Sequence, residues 1–197
     1  VLQKRYALLQ WEQGSGKTLA AIATGLYRMG HQHIHSTWVV SSAISIRNNW
    51  DEVLKVYGLP YVFVEKLSDL DKVKQGDFVI LTLNRVSAIK KQIARKMRRL
   101  NQKVQFVLDE SDEISNADSQ RCKSVLSCFR RCWAKLLTTG TSTRNNISEF
   151  APQLELLYNN SVNMISWNAV IYKRDEDDSE RLIQKENPNY GMPIPAY

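Results

Sequence analysis

Within Ala7–Tyr27 the chain reads ALLQWEQGSGKTLAAIATGLY: an apolar run, a loop with two glycines and a lysine, then a stretch of good helix formers. That order dictates a strand entering a helix through a tight turn, the opening unit of a layered α/β fold. It also meets the needs of a phosphate-binding loop: an anchoring strand, small residues that let backbone N–H groups converge, and a helix N-terminus facing the anion. Gly14 and Gly16 permit the backbone angles such a loop requires. Lys17 would neutralise β- and γ-phosphates, and the Thr18 hydroxyl would ligate Mg²⁺. The nucleotide-holding set is therefore Gln13, Gly14, Ser15, Gly16, Lys17 and Thr18, with ATP and Mg²⁺ as the ligands. The pattern G-x-x-x-x-G-K-S/T has Trp11 at its first position in place of Gly, so a chance Gly-rich turn is the competing reading.

The remainder extends the same unit. Short apolar runs alternate with helical patterns, the signature of βαβ units and a mostly parallel sheet flanked by helices. Strands are predicted at Tyr6–Leu9, Thr37–Ser42, Tyr61–Val64, Asp77–Leu83, Lys103–Leu108 and Lys135–Thr139. Helical stripes run through Trp50, Val53, Leu54 and Tyr57, through Val86, Ile89, Ile93, Met97 and Leu100, and through Ile147, Phe150, Leu154 and Leu157. At 197 residues there is room for one domain with a substantial core, and no apolar run approaches a membrane span. The pattern fades after about Asn159, where Asp175–Asp178 form an acidic run and Pro188, Pro193 and Pro195 favour extended chain. Residues 1–158 are thus expected as one lobe and 159–197 as an extension or linker. Cys122, Cys128 and Cys132 lack the paired spacing of a zinc site, lie in a helical pattern and read as free thiols of a reducing compartment.

A second motif turns the loop into a site. VQFVLDESDE is an apolar strand ending in Asp109 and Glu110, and strand C-termini are where a parallel sheet places its ligands. Asp109 could hold Mg²⁺ through its water shell, while Glu110 could orient and deprotonate an attacking water. Lys17, Asp109 and Glu110 are the expected catalytic residues, with Thr18 and Asp109 at the metal.

In order along the chain, LLQWEQGSGKT, TWVVSSAISIRNNWDEVLKVYG, DFVILTLNRV, VLDESDE and KLLTTGTSTRNNISEFAPQLELL resemble the motifs of the superfamily-two helicase motors, particularly the Swi/Snf-type DNA translocases. The resemblance covers roughly residues 5 to 158. It implies the first of two RecA-like lobes, with a second lobe and its arginine finger elsewhere in a longer chain, and an isolated fragment that hydrolyses ATP poorly. The start at Val1, close to the loop, agrees with a fragment. It implies movement on duplex DNA and an intracellular setting, cytoplasmic or, in a eukaryote, nuclear. Asp112 stands where many relatives carry His, which leaves a DEAD-box-like RNA helicase as an alternative, and Ser142 stands where the subgroup usually has Pro. A non-catalytic nucleic-acid-binding scaffold with a degenerate loop is the alternative from another class.

By the same resemblance nucleic acid crosses loops at strand ends, at Ser41, Ser42 and Arg47 and at Thr82, Leu83 and Asn84. Small hydroxyls there could bond phosphate oxygens, or the serines could merely cap the next helix. Thr139, Gly140 and Thr141 would couple the nucleotide to that groove. Lys90, Lys91, Arg95, Lys96, Arg98, Arg99 and Lys103, like Arg130, Arg131 and Lys135, read first as solvated charge and second as a phosphate-binding surface. The balance of 27 basic against 20 acidic residues, net +7, suits a polyanionic partner.

Overall fold

The structure is a computed structural model that describes residues 2–12, 14–140, 147–158, 170–174 and 182–186. Gln13 and Thr141, expected at the nucleotide loop and the coupling segment, lie outside the described residues, as do the acidic run and the proline-rich end. Six strands, β1 Tyr6–Gln10, β2 Thr37–Ser41, β3 Tyr61–Phe63, β4 Phe78–Thr82, β5 Gln105–Asp109 and β6 Ala134–Thr139, form one sheet in the order β1-β6-β5-β2-β4-β3. Every pairing in it is parallel. Each matches an expected strand, with its ends moved by two residues or fewer. The helices are α1 Lys17–His31, α2 Ala43–Ser45, α3 Asp51–Val56, α4 Asp69–Lys72, α5 Leu83–Ala88, α6 Lys90–Arg99, α7 Gln120–Phe129 and α8 Ala151–Tyr158. A π-helical turn, Ile46–Trp50, joins α2 to α3, and 3₁₀ turns occupy Ser111–Ile114 and Ile147–Phe150. An antiparallel pair, β7 Val170–Arg174 and β8 Leu182–Glu186, follows.

Burial on both faces explains why β2, β5 and β6 read as continuous apolar runs rather than alternating ones. One face packs Val39, Phe78, Ile80, Val107 and Leu136 against Ile22 of α1 and Leu54 of α3. The other packs Trp38, Phe106 and Leu108 against α5, α6 and α7, with the Phe106 and Phe129 rings stacked at 4.1 Å between centroids. On the first face, α1 lies so close to β2 that a Cβ at Gly25 would come within 2.6 Å of Thr37 Oγ1. A polar tie supports that contact: the buried Arg28 guanidinium donates to Gln105 Oε1 at 2.9 Å and to the Lys4 carbonyl at 2.7 Å.

Several sequence expectations need correction. Tyr57 lies beyond the end of α3 and is 61% exposed, because α3 stops at Val56. The stripe Val86–Leu100 is one buried face carried by two helices, broken at Ile89, whose angles (φ −118°, ψ 28°) leave the helical region. In α8 the buried leucines are Leu156 and Leu157, with Leu154 half-buried. Lys135 is not surface charge: it is buried, donates to the Arg130 carbonyl at 2.6 Å and lies 4.4 Å from the centre of the Tyr6 ring. The three cysteines are free and buried, and among the described residues no group of three or more His, Cys, Asp or Glu side chains is gathered as a metal site. Burial pushes the Cys122 thiol up to about 11, that of Cys128 to about 12 and that of Cys132 further still.

Candidate active site

The sheet order sets β1, β6 and β5 side by side, so their three C-terminal ends meet. From β1 comes the glycine loop. Gly14 (φ 81°) and Gly16 (φ 86°) both take left-handed angles that other residues resist. Ser15 turns back on the Glu12 carbonyl through its amide, at 3.3 Å, and its hydroxyl, at 2.6 Å. The Lys17 ammonium spans the loop, donating to the carbonyls of Trp11 and Glu12 at 2.8 Å each. The Trp11 amide donates to the Thr139 carbonyl at 3.2 Å, tying the loop to β6. Gly16 caps α1 without a side-chain hydrogen bond, and no acidic residue sits in the first turn. The helix therefore presents its first amides and the positive end of its dipole to the cleft with no carboxylate of its own first turn against them.

From β5 comes Asp109, only 6% exposed and held by four donors. Its Oδ2 accepts from Ser41 Oγ at 3.1 Å, Ser45 Oγ at 2.9 Å and Trp50 Nε1 at 3.0 Å, while Oδ1 accepts from Thr138 Oγ1 at 2.7 Å. Oδ1, with one protein donor, is the oxygen with capacity left for a metal-bound water. Glu110 follows in the left-handed region (φ 55°, ψ 52°), an arrangement that costs a non-glycine residue about 1–3 kcal/mol and recurs at functional sites. From β6 comes Thr139, whose hydroxyl donates to Asp112 Oδ1 at 3.0 Å and so binds the strand end to the turn after Asp109.

The loop, Asp109, Glu110, Thr139 and Gly140 line one cleft of about 890 Å³, with Asn48 and Asn49 on its far wall. Five carboxylates line the cleft, Glu52, Asp109, Glu110, Asp112 and Glu113; a bare helix N-terminus, a lysine and a threonine hydroxyl beside Asp109 and Glu110 fit a nucleoside triphosphate carried with Mg²⁺, whose charge offsets theirs. Sequence reasoning missed Ser45, Thr138 and Trp50 as partners of Asp109. Only the Asn-Trp segment hinted at them, and there Trp50 read as core.

The strand-end residues expected at nucleic acid divide. Ser41 is fully buried and spends its hydroxyl on Asp109, so it offers nothing to a phosphate. Ser42 and Thr82 act as helix caps, accepting from the Ser45 amide and the Arg85 amide at 3.2 Å each. Leu83 is buried and Asn84 is exposed. Arg47 is exposed and, with Thr82, Lys66 and Arg85, lines a second cavity of about 660 Å³. On α6 the charge is solvated, as expected: Ile93 and Met97 are buried, while Lys91, Arg95, Arg98 and Arg99 face solvent.

Residues 3–186 match the SNF2-related domain. Among curated relatives, the chain is 28% identical over 159 residues to the chromatin-remodeling ATPase INO80 of Emericella nidulans, a match that covers 72% of this chain and 9% of that protein. It is 26% identical over 152 residues to the helicase SWR1 of Debaryomyces hansenii, again 72% of this chain and 9% of that one. The chain thus spans about a tenth of the length of these relatives. Among solved structures, the Sulfolobus solfataricus SWI2/SNF2 ATPase core in complex with dsDNA superposes with a TM-score of 0.60 at 22% identity, covering 77% of this chain and 31% of that one. At that identity the likeness speaks for the fold.

Proposed function

Because the chain belongs to the SNF2-related domain family, we propose that it is the ATP-binding lobe of a DNA-translocating motor, with residues 159–197 as an extension beyond the lobe. The observation that carries this reading is the convergence of the capless α1 terminus, Lys17 and the Asp109–Glu110 pair in one cleft at three adjacent strand ends. Lys17 leaves two loop carbonyls for the β- and γ-phosphates. Thr18 and Asp109 would hold the metal, Asp109 through water, and Glu110 would take the proton from the attacking water. The metal so held would supply neutralisation of the charge developing on the transferred phosphoryl group. Thr139, through Asp112, joins this chemistry to the strand end that leads to the rest of a coupling segment.

The relatives named a chromatin-remodeling ATPase and the ATPase core seen with dsDNA make duplex DNA the partner to test. Arg47, Thr82 and Asn84 remain the strand-end contacts for it. A second RecA-like lobe supplies an arginine to the transition state, a contribution worth about 10³–10⁵ in rate in related phosphoryl transfer. Such a motor works where DNA is kept, the nucleus of a eukaryote or the cytoplasm of a cell without one. Among the described residues no helix is long and apolar enough to cross a membrane.

The deciding experiment titrates the chain with a fluorescent ATP analogue and Mg²⁺, beside Lys17→Ala, then compares ATP turnover of the full-length protein with duplex DNA and with RNA. Saturable binding lost in the variant, and turnover raised by duplex DNA, are expected. Binding indifferent to Lys17 would remove the nucleotide site. Turnover raised by RNA alone would move the motor to the RNA helicases.

A further inference from the structure

One stretch of chain, residues 43–53, stands between the nucleotide cleft and the cavity that holds Arg47. Ser45, Asn49 and Glu52 line the cleft, while Ile46, Arg47 and Asp51 line the other cavity. The stretch contains the π-helical turn Ile46–Trp50, closed by the Asp51 amide donating to the Ile46 carbonyl, a bond five residues long. Such turns are rare and concentrate at functional sites.

The extra residue has a geometric effect. At 100° per residue in an α-helix, positions five apart point about 140° away from each other. In the wider turn, Ser45 and Trp50 come together and donate to the same oxygen, Asp109 Oδ2, at 2.9 and 3.0 Å. Both are buried, with Ser45 at 5% and Trp50 at 1% exposure, and Asn49 donates to Ser45 Oγ at 3.4 Å from the cleft side. Three elements of one short segment thus do different things: its hydroxyl and indole fix a carboxylate of the cleft, and its arginine lines a cavity with Lys66 and Arg85, where the cations face Glu65 and an Asp51 already paired with Lys55.

We infer that Ser45 and Trp50 are positioning residues for Asp109, and that the π turn carrying them transmits occupancy of the Arg47 cavity to the nucleotide cleft. The inference rests on the nucleotide-site reading given above. A π turn and an α turn are discrete arrangements, so the segment has two states rather than a continuum. Return to α geometry swings the Trp50 indole off Asp109 and leaves that carboxylate without two of its donors. A polyanion in the other cavity, of which a nucleic-acid backbone is the chemistry that fits, engages Arg47 and biases the segment toward one state.

The test is spectroscopic first. In the chain labelled with ¹⁵N-tryptophan, the Trp50 indole resonance is identified by its loss in Trp50→Phe. It is expected to shift on addition of ATP with Mg²⁺, and separately on addition of a short DNA duplex. Arg47→Ala should abolish the duplex-induced shift alone. In parallel, Ser45→Ala and Trp50→Phe should each weaken Mg²⁺-dependent binding of the fluorescent ATP analogue about tenfold, the worth of one hydrogen bond to a charged group. Binding measured in EDTA should stay at its wild-type value. An indole resonance unmoved by both ligands, with Mg²⁺-dependent affinity unchanged in both variants, overturns the inference while the nucleotide site stands. A shift with nucleotide but none with duplex removes the transmission and keeps the positioning role. Absence of nucleotide binding by the wild-type chain would instead bring down the site reading, and the inference with it. If Trp50→Phe fails to fold by circular dichroism, the indole resonance displaced by Ser45→Ala, which removes the other donor to the same oxygen, identifies Trp50, and Ser45→Ala carries the affinity test.

Discussion

At Lys17 the ammonium already satisfies two loop carbonyls, so phosphate binding exchanges contacts rather than creating them. A ligand of low charge gives too little in return. Lys17→Ala is accordingly expected to lower affinity for ATP at least tenfold and for AMP hardly at all, measured by competition against the fluorescent analogue. Glu110 offers a sharper separation of roles. Its left-handed backbone is strained, so Glu110→Gly should leave stability unchanged or raise it by up to about 1 kcal/mol in urea unfolding. The same variant in the full-length protein should lose at least about 10² in turnover while still binding nucleotide, since a general base contributes about that much. A gain in stability with intact turnover would deny Glu110 its role. These residues were legible because their chemistry is written in contiguous motifs. Ser45, Thr138 and Trp50 were not, because a partnership across strands leaves no local pattern, and a tryptophan with one polar atom reads as core.

Among the elements, α1 shows what periodicity captures and what it leaves out. Its place after the loop followed from composition, but its distance from β2 depends on one missing Cβ. Gly25→Ala is expected to destabilise the chain by about 1–3 kcal/mol, because the added atom meets Thr37 Oγ1 at 2.6 Å. Urea unfolding of the single variant, and of Gly25→Ala combined with Thr37→Ala, checks the cause: trimming Thr37 should recover part of the loss. Removing Arg28 acts on the same seam. Arg28→Met leaves Gln105 Oε1 and the Lys4 carbonyl without their donor and should cost about 2–4 kcal/mol. An arginine fully inside the protein ran against the expectation that a charge in a helix faces water, which is why sequence reasoning passed over it. The break at Ile89 was equally hidden, since both helices keep the same buried stripe.

Over the whole molecule, buried ionisable groups set how stability follows pH. Burial pushes the Lys135 ammonium down to about 8, well below its ordinary 10.5. The unfolded chain therefore binds the proton more readily between those values, and stability rises with pH as it climbs from about 8. The thiols work the other way. Their folded values lie above the ordinary 9, so from about pH 9 the unfolded chain loses protons that the fold retains, and stability falls. Three thiols oppose one ammonium, so the wild-type profile nearly levels between about pH 7.5 and 9, and comparison with Lys135→Met isolates the lysine. In urea unfolding at closely spaced pH, the wild type should gain stability relative to Lys135→Met as pH climbs from about 8. A difference between the two that stays constant from about pH 7.5 to 10 would contradict the burial of that ammonium. The strand order has a consequence of another kind. Among the described residues β1 pairs with β6 alone, so Tyr6 finds its partner at Lys135 and Gln10 at Thr139. On the ribosome the nucleotide loop is therefore made well before β6, the strand that fixes it. Until residue 139 has emerged, its strand waits with bare hydrogen-bonding edges, exposed to chaperones and to its own neighbours on the polysome.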